Sequence, residues 1–368
     1  LLERKQGFVR GVAKSFEEGF TANGYDVIHG AAKFTGPNAI AVGDDVYSFK
    51  KAVIATGSAP RSLPIPGFEN TVDSNDLLEM ELLPESILFI GGGVVAFELG
   101  HVFQRAGAQV TILEIMDRAL PMKEPEVVEK LLEESRRIGM EVHLGAVTSQ
   151  IVAENGGFTV HFSHEGADKT AKVAMVARTA GRVANLADLD LEAAGIETAG
   201  TVLAVDKHLR STSNPNVFGA GDTVPGPQLS ALATYEGRIA GHNAVAGDAD
   251  RIEPDYLSVP SVVFSVPNLA SVGLTEAAAA EAGMDFAIKL NDMTTWRSSI
   301  TYAETVAISK VLVENGTDKI LGANILGHGA AEIIHTFAFA IKHGVTASEL
   351  ATTVYAYPTM TNDIKFLV

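Results

Sequence analysis

The run Gly91-Gly92-Gly93-Val94-Val95-Ala96-Phe97-Glu98 fits the pattern G-x-G-x-x-G/A, with Ala96 in the third small position. It follows the apolar stretch Ile87 to Ile90 and opens the periodic stretch Val94 to Ala106, so the glycines are predicted to turn a strand into a helix. In that setting each small residue has a task. Gly91 makes the tight turn, Gly93 lets a pyrophosphate approach the backbone, and Ala96 lets helix and strand pack closely, with the helix N-terminus facing the phosphates. The next predicted strand, Gln109 to Leu113, leads into Glu114, about 20 residues on, where a carboxylate can accept hydrogen bonds from ribose hydroxyls. The chemistry indicated is dinucleotide binding. Glu114 would repel a 2′-phosphate and so favours NAD, while Arg118 close behind it keeps NADP as the alternative.

These residues need elements to hold them. Phe8, Val12, Phe16 and Phe20 mark an amphipathic helix over residues 8–23, followed by short strands at Asp26 to His29, Ala39 to Val42 and Val46 to Phe49 that read as a small antiparallel sheet. A strand at Lys51 to Ala55 ends in Thr56-Gly57-Ser58, and Pro60, Pro64 and Pro66 behind it mark a domain crossing. After the glycine turn come a helix at Pro125 to Arg137 and strands near Glu141 to Leu144, Ser149 to Ala153, Phe158 to Phe162 and Lys172 to Val176, up to Gly181-Arg182. A strand at Val217 to Ala220 then ends in Gly221-Asp222, before a helix from Leu229 to Ala246. Strands around Ser261 to Phe264, Val306 to Val313 and Ile320 to Ile325, with helices at 330–343 and 347–353, make a third region. The acidic run Glu124 to Glu134 reads as the solvated face of a helix, and His161, His164, His335 and His343 lack the spacing of a metal site.

Bulk properties narrow the class. A chain of 368 residues is long enough for two or three domains, and 46% hydrophobic residues with 35 glycines describe a globular α/β protein. The formal charge of -17 argues against nucleic acid as a partner. No apolar run approaches the roughly 20 residues that span a bilayer, and the first residues lack a signal-peptide layout, so no membrane partner and a cytoplasmic location are expected. The absence of cysteine excludes thiolate metal sites, disulfides and nucleophilic thiols within these residues. The sequence starts at Leu1 rather than Met, and a fragment is expected.

Ala55-Thr56-Gly57 and Ala220-Gly221-Asp222 are each an ordinary strand exit when taken singly. In this order around the glycine motif and Gly181-Arg182-Val183-Ala184-Asn185, they resemble the pyridine nucleotide-disulfide oxidoreductases, such as dihydrolipoamide dehydrogenase, glutathione reductase and mercuric reductase. The resemblance runs the length of the chain. It implies an α/β fold in which a Rossmann-like NAD domain is inserted in a partial FAD domain and followed by an α+β dimerisation domain. The implied boundaries are 1–72 and 183–250 for the two parts of the FAD domain, 73–182 for the NAD(P) domain and 251–368 for the dimerisation domain. FAD and NAD are the implied cofactors and a homodimer the implied assembly. Asp222 with Gly221 would bind the flavin ribitol, Thr56, Gly57, Gly181 and Arg182 would belong to the cofactor sites, Ser230 would open the segment facing the flavin ring, and Ala32 would lie where the adenine is read.

Two departures from the family bear on chemistry. The family's opening FAD motif and its C-x4-C pair do not occur before the first predicted helix, and Glu98, which in relatives pairs with a lysine on the cysteine-bearing helix, is without that partner. At the C-terminus, Tyr357 and Asn362 occupy the positions of the family's relay histidine and its orienting glutamate. A tyrosine, with a reference pKa near 10 against about 6.5 for histidine, donates a hydrogen bond at neutral pH but is a poor reversible base. Mercuric reductases share this tyrosine. The expected function is an FAD-dependent oxidoreductase that passes hydride from NAD(P)H to flavin and on to a small-molecule or protein-disulfide acceptor, or to another acceptor. The alternatives are a dinucleotide-binding and dimerising remnant without turnover, and a cysteine-independent flavin reductase of quinones or oxygen.

Overall fold

The computed structural model describes residues 2–368, which divide into two compact units. The first unit runs to Arg61 and takes in Leu78–Glu81 and Arg182–Pro254. It opens with two helices, Leu2–Val9 and Val12–Ala22. The single helix predicted from Phe8 is broken because Gly11 takes φ +89°, a left-handed value that ends the helical ladder. The strand predicted at Asp26 to His29 is not formed. Instead Ala32–Gly36 pairs with Ala39–Val42 in the register Ala32↔Val42 and Phe34↔Ile40, because the turn at Pro37-Asn38 brings only those residues within reach. Asp45–Ser48 completes this antiparallel sheet.

Two strand pairs bring distant stretches of the first unit together. Ala52–Ile54 lies parallel to Val217–Gly219, so that the Ala55-Thr56-Gly57 and Ala220-Gly221-Asp222 turns leave the same end of the pair. Ser58–Pro60 runs antiparallel to Arg182–Ala184. Phe34, Ile54, Leu203 and Val217 form the buried centre, and the helix Ser230–Val245 packs Ile239 and Ala240 against Phe218. Each fully buried aliphatic or aromatic side chain there contributes about 1.5–3 kcal/mol by leaving water.

The second unit comprises Ser62–Leu77, Leu82–Gly181 and Asp255–Val368. Its parallel sheet has the order Met175–Arg178, Ser86–Ile90, Gln109–Glu114, Glu141–Leu144, and the central strand buries Ile87, Leu88 and Phe89 completely. Near-continuous apolar strands are what a parallel sheet covered on both faces requires. The stretch predicted as one strand at Lys172 to Val176 is two: Ala167–Val173 closes a three-stranded meander, and Met175–Arg178 joins the parallel sheet. The five-stranded antiparallel sheet Ser261–Val263, Asn268–Gly273, Ile320–Gly327, Ile308–Glu314, Phe286–Asp292 carries the helix Ala330–His343, with Ile334 and Phe337 in its core.

The acidic run corrects one expectation. Glu124 and Glu134 are buried, not solvated. Lys310, itself buried on the antiparallel sheet, donates from Nζ to Glu124 at 2.8 Å, to Glu126 at 2.9 Å and to Glu276. The surrounding carboxylates hold the Lys310 ammonium well above the usual lysine range despite its burial. Glu134 is gripped by Arg137 at 2.7 Å through two nitrogens and accepts from Thr305 at 2.8 Å. Glu126, Glu129 and Glu133 keep the exposed face that the run predicts, while Glu124 is drawn inward by Lys310 from 186 residues away and Glu134 by Arg137 three residues on.

Candidate functional site

The glycine turn sits at the carboxyl end of the strand Ser86–Ile90 and opens the helix Val94–Ala106. Gly91 adopts φ +107°, and a Cβ there would stand 2.6 Å from the Thr179 carbonyl oxygen, so the position admits only glycine. Thr179 closes the cradle by donating from Oγ1 to the Gly91 carbonyl at 2.8 Å. At Gly93 a Cβ would meet nothing nearer than 3.8 Å, which leaves the backbone open on that side. Gly93 is the helix N-cap and makes no side-chain capping bond, so the first amide N–H groups of the helix are left for a ligand, where the dipole favours an anion. Ala96 is fully buried, as close packing of helix on strand requires.

Glu114 ends the neighbouring strand and turns its carboxylate back to the loop. Its Oε2 accepts the Gly92 N–H at 2.6 Å and its Oε1 the Met116 N–H at 2.8 Å. Each oxygen retains lone pairs, so the side chain is pre-oriented as a double acceptor for vicinal hydroxyls. Arg118, the residue that could welcome a 2′-phosphate, instead donates to the Lys123 carbonyl at 2.6 Å. Gly181 is exposed at φ +95°, two residues after Thr179 and just past the strand Met175–Arg178.

In the first unit, Asp222 stands half-buried at the end of its strand, and its Oδ2 accepts from Ser58 Oγ at 2.6 Å. Arg182 donates from Nε to the same Ser58 Oγ at 2.8 Å and from Nη2 to the Ser58 carbonyl at 2.6 Å. Gly221, at φ +67°, gives its N–H to the buried Glu236 at 2.7 Å. Thr56 and Asn185 exchange side-chain to backbone bonds of 2.7 and 3.0 Å, and the Asn185 N–H reaches the Gly57 carbonyl at 2.9 Å. Thr56, Gly57, Arg182, Gly221 and Asp222 are thereby brought to one end of the two strand pairs. Ala32 is exposed and lines an apolar groove with Phe34, Ile40, Val53 and Ile54. Ser230 is the exposed first residue of its helix.

The three residues singled out for chemistry are not brought together by hydrogen bonds. Glu98 accepts the Phe264 N–H at 2.9 Å, and burial raises its carboxyl above the usual range. Tyr357 is 71% exposed. Asn362, in the short 3-10 helix Met360–Asp363, is buried, and its Oδ1 accepts from Lys365 at 3.2 Å. Ser58, Thr179 and Glu236 were not singled out from the sequence. Ser58 directly follows the Ala55-Thr56-Gly57 motif, which was the available signal for it, whereas Thr179 and Glu236 belong to no motif.

Against this geometry stand the relatives. A profile of the pyridine nucleotide-disulphide oxidoreductases matches residues 5–237, and one of the dimerisation domain of the same enzymes matches residues 259–367. A dihydrolipoyl dehydrogenase of Bacillus subtilis is 36% identical over 92% of this chain and 73% of its own length. A mercuric reductase of Bacillus cereus is 30% identical over 94% of this chain and 55% of its own. Among solved structures, the HOCl-induced flavoprotein disulfide reductase RclA from Escherichia coli is 26% identical and superposes with a TM-score of 0.89, covering 100% of this chain and 84% of that one.

Proposed function

This chain belongs to the pyridine nucleotide-disulphide oxidoreductase family, and from that premise we propose that it binds NADH at Gly91–Gly93 and Glu114 and FAD at Asp222, and passes hydride from the one to the other. The observation that carries the nucleotide half is the pairing of a glycine cradle with a carboxylate fixed by two backbone amides, Gly92 at 2.6 Å and Met116 at 2.8 Å. The flavin, when bound, supplies the two-electron chemistry. The protein's own residues bind and orient. The amide N–H groups after Gly93 neutralise the pyrophosphate charge, and Glu114 accepts the ribose hydroxyls while repelling a 2′-phosphate, which gives NADH its preference. Asp222, held by Ser58, accepts a flavin hydroxyl.

None of these 368 residues carries a thiol, so the reduction of a disulfide acceptor would not run through a cysteine of this chain. Tyr357, exposed and ahead of Pro358, is read as a hydrogen-bond donor to the acceptor rather than a base. Residues 259–367 carry the exposed apolar side chains Phe339, Val354, Tyr357 and Phe366, which supports a homodimer formed through this region. Titration of NADH and NADPH into the wild type and Glu114→Ala tests the nucleotide half. NADH should bind the wild type more tightly than NADPH, and the substitution should weaken NADH by about 10- to 100-fold, the loss of a charge-assisted hydrogen bond. A wild type that prefers NADPH sinks the assignment.

A further inference from the structure

The hydrogen-bonded chain at Asp222 has a member that neither motif contains. Arg182 Nε donates to Ser58 Oγ at 2.8 Å, and Ser58 Oγ donates to Asp222 Oδ2 at 2.6 Å. A serine hydroxyl has one proton and two lone pairs. With the guanidinium on one lone pair, the proton is directed at Asp222 and the bond is charge-assisted. Three stretches of the chain meet at this hydroxyl, for Ser58 and Asp222 lie 164 residues apart in sequence and Ser58 and Arg182 lie 124 apart. The backbone fixes all three. Ser58 pairs with Ala184 and Pro60 with Arg182 across the antiparallel strands, while the Gly221 N–H is tied to the buried Glu236 at 2.7 Å.

We propose that Ser58 is the positioning residue of the flavin site: it fixes the rotamer of the Asp222 carboxylate, commits Oδ2 and leaves Oδ1 to a polyol hydroxyl of the cofactor. Arg182 acts on Asp222 through it, compensating the carboxylate charge across one hydroxyl. The inference rests on the reading of Asp222 as a flavin ligand. Without Ser58 the carboxylate would rotate freely, and its ordering would have to accompany binding.

The test is a cycle of four versions of the protein, namely wild type, Ser58→Ala, Asp222→Ala and the double variant, with Ser58→Thr as the conservative control. FAD dissociation constants are read from flavin fluorescence. Ser58→Ala should weaken FAD about 10-fold, Ser58→Thr should stay within about threefold of wild type, and Ser58→Ala should add nothing once Asp222 is alanine. A residue that only packs would give the same loss in both backgrounds, and that result, or wild-type affinity in Ser58→Ala, overturns the proposal. Thermal midpoints of the same four proteins without flavin give an independent reading. The two substitutions should be non-additive, and additive shifts overturn the positioning role. A wild type that binds no FAD at all defeats the flavin reading of Asp222 instead, and the midpoints still decide whether Ser58 holds it.

Discussion

At the scale of single residues, the glycines of the turn are separable because they face different neighbours. An alanine at Gly91 would force φ +107° on a residue with a Cβ and drive that carbon to 2.6 Å from the Thr179 carbonyl, a combination that costs roughly 1–3 kcal/mol or more. At Gly93 the backbone is extended at φ -86° and the nearest atom is 3.8 Å away, so alanine fits the protein and obstructs only the pyrophosphate. Gly91→Ala is therefore expected to lower the melting temperature and nucleotide affinity together, whereas Gly93→Ala should keep the melting temperature and lose NADH affinity by at least about 10-fold. Unchanged NADH binding by Gly93→Ala in a titration contradicts the placement of the pyrophosphate. These positions were legible in the sequence because the turn, the helix start and the acid at the end of the next strand are local consequences of about 25 residues of chain. Ser58, Thr179 and Glu236 were not. Thr179 bonds to Gly91 from 88 residues away and Ser58 to Asp222 from 164, and no local pattern encodes which side chain will arrive across a sheet.

At the scale of elements, the second unit joins its parallel sheet to its antiparallel sheet through side chains on the two helices between them. His101, on the helix Val94–Ala106, is completely buried, accepts the Val266 N–H at 3.2 Å on Nδ1, and so directs its Nε2 proton to Ser135 Oγ at 2.9 Å. Burial, helped by the nearby Arg105, lowers its pKa to about 4, against the opposing influence of Glu134. The unfolded chain takes up this proton near pH 6.5 and the folded one only near 4, so the contribution of His101 is fully present above about 6.5 and lost as the pH falls toward about 4. Urea unfolding should show the wild type losing about 2 kcal/mol more than His101→Gln between pH 7 and pH 5, and parallel losses in the two proteins count against the buried neutral imidazole. Neither this joint nor the Lys310 cluster could be anticipated from periodicity, which marks where an apolar stripe lies but is silent on a histidine or glutamate that finds its partner in another sheet. The existence of the nucleotide-fold strands and of the helices Val94–Ala106 and Pro125–Arg137 was legible because their apolar periods are long and unbroken. The start of the chain misled because its phenylalanine spacing continued across Gly11, where a left-handed φ of +89° divides the helix.

At the scale of the whole molecule, the two proposed cofactor sites are built in the same way, from a strand end, a left-handed glycine and an acid. Gly91 and Glu114 form that combination in the second unit, Gly221 and Asp222 in the first. The net charge of -17 places no obstacle before these sites, since the helix N-terminus after Gly93 offers the local positive field that a pyrophosphate needs. The proposed function comes down to hydride transfer from NADH, selected over NADPH by Glu114, to a flavin on the same chain. Anaerobic mixing of the FAD-loaded protein with equal concentrations of NADH and NADPH, followed in the visible flavin band, tests it most directly. Bleaching by NADH, slower or absent with NADPH, is the outcome expected from Glu114, whereas a flavin that NADH leaves oxidised, or that NADPH reduces faster, contradicts the account at its centre.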